Sequence, residues 1–161
     1  MIKLPNKWRP RVEVYVMMNN KVLVGYHPEF GLSVPGGGIE KGQNLITAAK
    51  NECLEEVGVK IRNIKLLLKE PYYEDWEKLL DQGEKLTKKD MLRTKKYRGL
   101  RIWYVKAIFD GYDDSLLGND NDELKKRAFI SKQILIRAYE KQAKDFDPPQ
   151  YAYRIKAIKN I

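Results

Sequence analysis

The segment Gly36-Gly37-Gly38-Ile39-Glu40-Lys41-Gly42-Gln43, with the run from Asn44 that closes on Asn51-Glu52-Cys53-Leu54-Glu55-Glu56-Val57-Gly58-Val59, decides how this chain is read. Three successive glycines suit neither helix nor strand and predict a turn. From Asn44 to Val57 the periodicity is helical, with Ile46, Ala49, Cys53 and Val57 on one apolar stripe. Asn44 is the expected N-cap and Gly58 the expected C-terminal stop. Glu52, Glu55 and Glu56 fall at i, i+3 and i+4, on an arc of about 100° expected to face away from that stripe.

Three carboxylates there are unfavourable for an isolated helix. Like charges at this spacing cost a few tenths of a kcal/mol and meet the negative end of the helix dipole. No Lys or Arg in the last turn relieves them. Two readings follow: a solvated acidic helix end, or a site for a hard divalent cation such as Mg²⁺ or Mn²⁺. The glycines in front favour the second, because they let a backbone carbonyl or amide approach the same cation or a phosphate.

Outward from this segment, Val12–Met18 and Lys21–Gly25 read as strands joined by an Asn19-Asn20 hairpin turn. Ile61–Leu68, Leu100–Phe109 and Ala128–Ile130 read as further strands, and Lys132–Ala143 as a helix. Asp147-Pro148-Pro149 breaks the chain before a basic C-terminal segment of helical character. Between strands, residues 72–98 read as a polar, basic insertion with a helix near Tyr73–Asp81. The pattern is that of one α+β or α/β domain over residues 1–161, and no repeat interrupts it.

Composition narrows the function classes. The 161 residues carry 31 Lys plus Arg against 22 Asp plus Glu, a net charge of +9 that favours acidic partners. The excess concentrates in 85–106, with nine bases against one acid, and is followed by six acids and no base in 110–123. No apolar run is long enough for a membrane helix and no leader pattern is visible, so a cytoplasmic protein without membrane association is expected. The single Cys53 fits a reducing compartment, and a lone His27 argues against histidine-based zinc or triad chemistry.

The glycine–helix segment resembles the box of the Nudix (MutT-like) hydrolases, Gly-x5-Glu-x7-Arg-Glu-U-x-Glu-Glu-x-Gly-U, where U is a bulky apolar residue. Here it reads Gly37-x5-Gln43-x7-Asn51-Glu52-Cys53-x-Glu55-Glu56-x-Gly58-Val59, with the spacing kept throughout. Leu32-Ser33-Val34-Pro35-Gly36 looks like the family's approach strand, and the flanking strands and late helix fit as well. The resemblance implies an α/β/α sandwich whose mixed central sheet carries the box helix and a C-terminal helix. It also implies hydrolysis of a pyrophosphate linkage in a nucleotide with Mg²⁺ or Mn²⁺.

By position, the resemblance makes Glu52 and Glu56 the leading metal ligands, Glu55 a ligand or base, and the Gly36 carbonyl an added oxygen. Glu123 is favoured over Asp120 and Asp122 as a late-loop metal ligand. Gly37 and Gly38 are expected against the substrate, with Lys95, Arg98 and Arg101 as phosphate-binding candidates. Gln150 or Tyr151, after the two prolines, is the candidate reader of a nucleobase. Two positions depart from the box, Gln43 for Glu and Asn51 for Arg, which leaves the local charge sum unchanged. Three functions therefore stay open: a hydrolase of free nucleotides, an RNA 5′-end pyrophosphohydrolase or decapping enzyme, and a non-catalytic nucleotide-binding domain. A homodimer is also open, since Lys3–Pro10 with Trp8 suits either a dimer interface or the chain's own sheet.

Overall fold

The computed structural model describes residues 2–118, 125–145 and 148–161. Strand β1 (Trp8–Met18) turns through Asn19, at a left-handed φ of 55°, into β2 (Lys21–His27). Short strands β3 (Gly31–Ser33) and β4 (Gly36–Gly38) lead to helix α1 (Leu45–Val57). Then come β5 (Val59–Leu66), β6 (Tyr72–Asp75), α2 (Trp76–Asp81), α3 (Lys88–Arg93) and the long β7 (Gly99–Tyr112). The described chain ends with β8 (Lys125–Ser131), α4 (Lys132–Gln142) and α5 (Pro148–Lys159).

The sheet is mixed, with β3-β2-β1-β7-β5 as its backbone, while β4 pairs with β1, β6 with β7 and β8 with β2. Its axis is the parallel pair β1–β7, in register from Trp8↔Gly99 to Met17↔Ile108. Side chains alternate across the sheet, so the two faces build two cores. Val12, Val14, Val16, Val105 and Ala107 pack under α1 with Ala49, Cys53 and Val57. Tyr15, Ile102 and Tyr104 pack on the other face with Leu135, Tyr139, Tyr151 and Ile158 of α4 and α5. The expected sandwich, with the α1 helix on one side and the C-terminal helices on the other, is the observed architecture.

Several local expectations are corrected. Gly36–Gly38 is an extended strand that pairs antiparallel with Arg11–Glu13. Any side chain at Gly36 would overlap the Val12 carbonyl, so glycine here serves close packing rather than turning. Ile46 is half exposed, and Ala48 takes its place on the buried stripe of α1. The helix boundaries do hold: Asn44 accepts the Thr47 N–H at 2.8 Å, and Gly58 caps in the left-handed conformation. Within 72–98, β6 joins the sheet edge and Trp76, at the start of α2, is completely buried. Pro148 and Pro149 open a helix, the one helical site where a missing N–H costs nothing. Trp8 lies on the chain's own sheet, edge-on to Tyr73 at 4.9 Å.

Candidate active site

The α1 carboxylates do not sit away from the buried stripe. Glu52 and Glu56 are partly buried beside it, and only Glu55 is exposed. The helix turns its Glu52–Glu56 edge onto β4, where the Gly36 N–H donates to Glu56 Oε1 at 3.1 Å. Glu52 lies directly on Gly37, and a Cβ there would collide with its carboxylate. The next glycine makes room in the opposite direction: a Cβ on Gly38 would strike the Arg9 guanidinium. Adjacent positions of a strand face opposite sides, so Gly37 admits the acid from one face and Gly38 the base from the other.

Electrostatics couples these groups. Burial raises the Glu56 carboxyl to about 8, with the Glu52 charge adding to it and Arg11 and the Gly36 N–H opposing it. Burial and then Glu55 raise Glu52, against the pull of Arg11 and Arg9. The two carboxyls are hydrogen-bonded to each other. Arg9 is itself lowered by burial and by the neighbouring Arg93 and Arg11, and its Nη1 has no hydrogen-bond partner among the described residues. A cluster of arginines with an unmet buried donor, beside two desolvated acids, is a setting for a phosphate-bearing ligand.

Arg9, Arg11 and Arg93 were missed by sequence reading. The signal was present in the alternation Arg9-Pro10-Arg11-Val12-Glu13, which puts Arg9 and Arg11 on one face of β1. Arg127 of β8 was missed too. Its Nη1 donates to the Val57 carbonyl at 2.8 Å and pairs with Asp114 at 2.5 Å. It thus supplies the positive charge that the α1 C-terminus lacks in its own last turn.

The expected substrate-binding residues are dispersed. Lys95 is exposed just beyond α3. Arg98 is engaged with Asp75, its Nη2 at 2.9 Å, and stacks over Trp8. Arg101 lines a cleft of about 450 Å³ with Trp103, on the α1 face of the sheet. Tyr151 is corrected to a core residue: it is 3% exposed, edge-on to Tyr139 and under the Arg154 guanidinium. Gln150 is partly buried in the first turn of α5. Gln43 does not face the carboxylates, because its Oε1 accepts the Glu40 N–H at 2.9 Å and closes the loop before α1. Glu123, Asp120 and Asp122 lie outside the described residues.

Among the described residues no three acidic, histidine or cysteine side chains gather into a metal-holding cluster; Glu52 and Glu56 lie against the glycine strand, and Glu55 is exposed on the same stretch of helix. The donor set nonetheless suits a hard cation. Two partly buried carboxyls that share a hydrogen bond, next to the Gly36 backbone, offer the oxygen ligands Mg²⁺ and Mn²⁺ prefer.

With a mixed sheet between helices and a carboxylate helix edge packed on a glycine strand, the fold is that of a Nudix domain, and the NUDIX domain family model matches residues 7–148. The chain belongs to the Nudix family. Comparison with curated proteins finds no match. Among solved structures, a NUDIX hydrolase from Nitrosomonas europaea is 17% identical, with a TM-score of 0.57 over 82% of this chain and 78% of that one. The MutT protein of Bacillus halodurans is 20% identical, with a TM-score of 0.57 over 81% and 72%. A Bacillus subtilis pyrophosphohydrolase, BsRppH, is 20% identical, with a TM-score of 0.52 over 76% and 62%. At these identities the likeness is one of fold. Nudix hydrolases generally use divalent metals and act on nucleotide-containing substrates. No helix among the described residues is long and apolar enough to cross a membrane.

Proposed function

We propose that this protein is a divalent-cation-dependent hydrolase that cleaves a pyrophosphate linkage in a nucleotide, either a nucleoside triphosphate or a nucleoside diphosphate joined to another group. The observation that carries this reading is the Glu52–Glu56 pair, desolvated against Gly36 and Gly37 with Arg9 on the other side of the glycine strand. Glu52, Glu56 and the Gly36 carbonyl would hold Mg²⁺ or Mn²⁺, which supplies an activated water and neutralises phosphate charge when bound. Arg9 and Arg11 orient the phosphates by charge-assisted hydrogen bonds, while Arg93, paired with Asp90, adds positive charge beside Arg9. Glu55, exposed one turn from Glu52, is assigned as an additional ligand or as the base that takes the proton of the attacking water. Glu123 keeps its assignment as a late-loop ligand. A cytoplasmic location, suited to the single buried thiol of Cys53, belongs to the same reading.

The test is a screen of nucleoside triphosphates, ADP-ribose, dinucleoside polyphosphates and 5′-triphosphorylated RNA with Mg²⁺ or Mn²⁺. Turnover of a small nucleotide, lost in Glu56→Gln, supports the reading. Turnover confined to the RNA makes the protein a 5′-end pyrophosphohydrolase. No turnover, with Glu56→Gln binding ligand as well as the wild type, reduces it to a binding domain.

A further inference from the structure

Helix α1 does not cover the whole of its face of the sheet. It begins at Leu45 and shields Val12, Val14 and Val105, but the preceding positions on the same side stay open. The parallel register pairs Trp8 with Gly99, Pro10 with Arg101 and Val12 with Trp103, so Trp8, Pro10, Arg101 and Trp103 all face the α1 side. On the outer edge Tyr73 pairs with Arg101, which adds its ring to this face. Tyr73 is 48% exposed although it touches Trp8 at 4.9 Å.

The result is three aromatic rings on adjacent strands with an arginine set among them. Where Arg101 and Trp103 meet Leu66 and Lys41, the face deepens into the cleft of about 450 Å³. Arg101 Nε is buried there and has no hydrogen-bond partner among the described residues. An unmet buried donor is costly and is stabilised by a ligand that accepts from it. Flat rings ask for flat partners, and the guanidinium asks for an anion. Alternating rings and cations on an open sheet match a chain in which bases and phosphates alternate. The charge agrees: the protein carries +9, and the 85–106 block that includes Arg101 has nine bases against one acid.

We propose that this open face of β1, β7 and β6 binds a single-stranded polynucleotide, with bases stacked on Trp103 and Tyr73 and a phosphate received by Arg101 in the cleft. The surface is separate from the arginines at the carboxylate site, because Arg9 and Arg11 occupy the alternate positions of β1 and point to the other face. It needs no hydrolysis, so it stands or falls independently of the function proposed above.

Fluorescence anisotropy with labelled ten-residue oligouridine and oligothymidine, at about 50 mM salt and without divalent cations, tests it. The wild type is expected to bind, and Trp103→Leu and Tyr73→Leu each to weaken binding roughly 5- to 100-fold, the usual loss for one stacked base. Arg101→Gln is expected to lower the salt dependence by the share of one phosphate contact, a slope of about 0.7. Hydrolysis of a small nucleotide by Tyr73→Leu and Trp103→Leu should be unchanged, which separates lost recognition from lost folding. Preference for oligouridine assigns the strand as RNA, and equal binding assigns it as either nucleic acid; both support the surface. Three results overturn it: no binding by the wild type, binding that survives all three substitutions, or competition by UMP as effective as by the oligomer. Any of these with hydrolysis intact leaves the proposed function standing.

Discussion

Arg154 of α5 grips Glu13 of β1 with two hydrogen bonds, Nε to Oε1 and Nη2 to Oε2, each 2.9 Å, across 141 residues of sequence. Glu13 is 1% exposed and is surrounded by Tyr15, Tyr104 and Tyr139. Burial alone would raise its carboxyl, yet the charge and hydrogen bonds of Arg154, with Arg11 beside it, hold it below the ordinary range. The pair ties the last helix to the strand that carries Arg9 and Arg11.

Removing one partner strands the other charge. Arg154→Leu is expected to destabilise the protein by about 3–5 kcal/mol, while Glu13→Leu with Arg154→Leu recovers most of that loss. Urea unfolding of the three variants checks it. A double variant no better than the single would show that the pair does not act as a unit.

The same pair sets the acid limit of stability. A depressed folded-state value means that stability is fully present above the unfolded carboxylate range and is lost as pH falls through the folded value. Thermal melts of the wild type should therefore drop on acidification below about pH 4.5, and this component should vanish in the double leucine variant.

Glu56 works in the reverse direction. Its carboxyl is raised from 4.5 to about 8, so the folded state holds more protons than the unfolded state across that window. Without bound cation, stability contributed by the proton declines as pH rises from about 5 to 8. Glu56→Gln should flatten this decline and, at the same time, reduce hydrolysis by more than the about 10–100-fold typical of a supporting residue in a metal site. A Glu56→Gln melting profile that keeps the wild-type slope would refute the assignment.

Gly37→Ala and Gly38→Ala should separate the two sides of the glycine strand. The first drives a methyl into the Glu52 carboxylate and the second into the Arg9 guanidinium. Overpacking costs about 1–3 kcal/mol in each. Steady-state kinetics should show Gly37→Ala lowering kcat, and Gly38→Ala chiefly raising KM for the phosphate-bearing substrate, as should Arg9→Gln.

Arg127→Ala tests the borrowed charge at the end of α1. Loss of its bonds to Val57 and Asp114 is expected to cost about 1–2 kcal/mol in a urea melt. Arg127→Lys should restore part of it, since charge survives but the forked geometry does not.

Periodic and spaced features were legible in the sequence. The caps at Asn44 and Gly58 and the strands around the hairpin follow from local rules and match the structure. Three kinds of information were not local. The glycine run reads as a turn because nothing nearby reveals that Val12 and Glu52 press against it from two sides. Strand β6 within 72–98 is not legible because it is only four residues long and its partner strand starts 24 residues after its last residue. Tyr151 reads as a base contact by its place after the two prolines, but the α5 helix turns it inward against Tyr139. Of the expected phosphate ligands, Arg98 was claimed by Asp75, a pairing 23 residues apart that composition does not disclose.

The ten matched positions of β1 and β7 act as a two-sided ribbon. One side carries Arg9, Arg11 and Glu13, and the other carries Trp8, Pro10 and the partners Arg101 and Trp103. A deletion of a single residue near Leu100 would turn over every side chain between it and the nearest compensating bulge. It would send Trp103 into the tyrosine core and expose Ile102 in the cleft. Both surfaces would fail in one step, although the deletion touches neither acid. Length here is therefore under a parity constraint: odd changes in the first half of β7 are forbidden, and paired changes are the only ones that leave each side with its own chemistry.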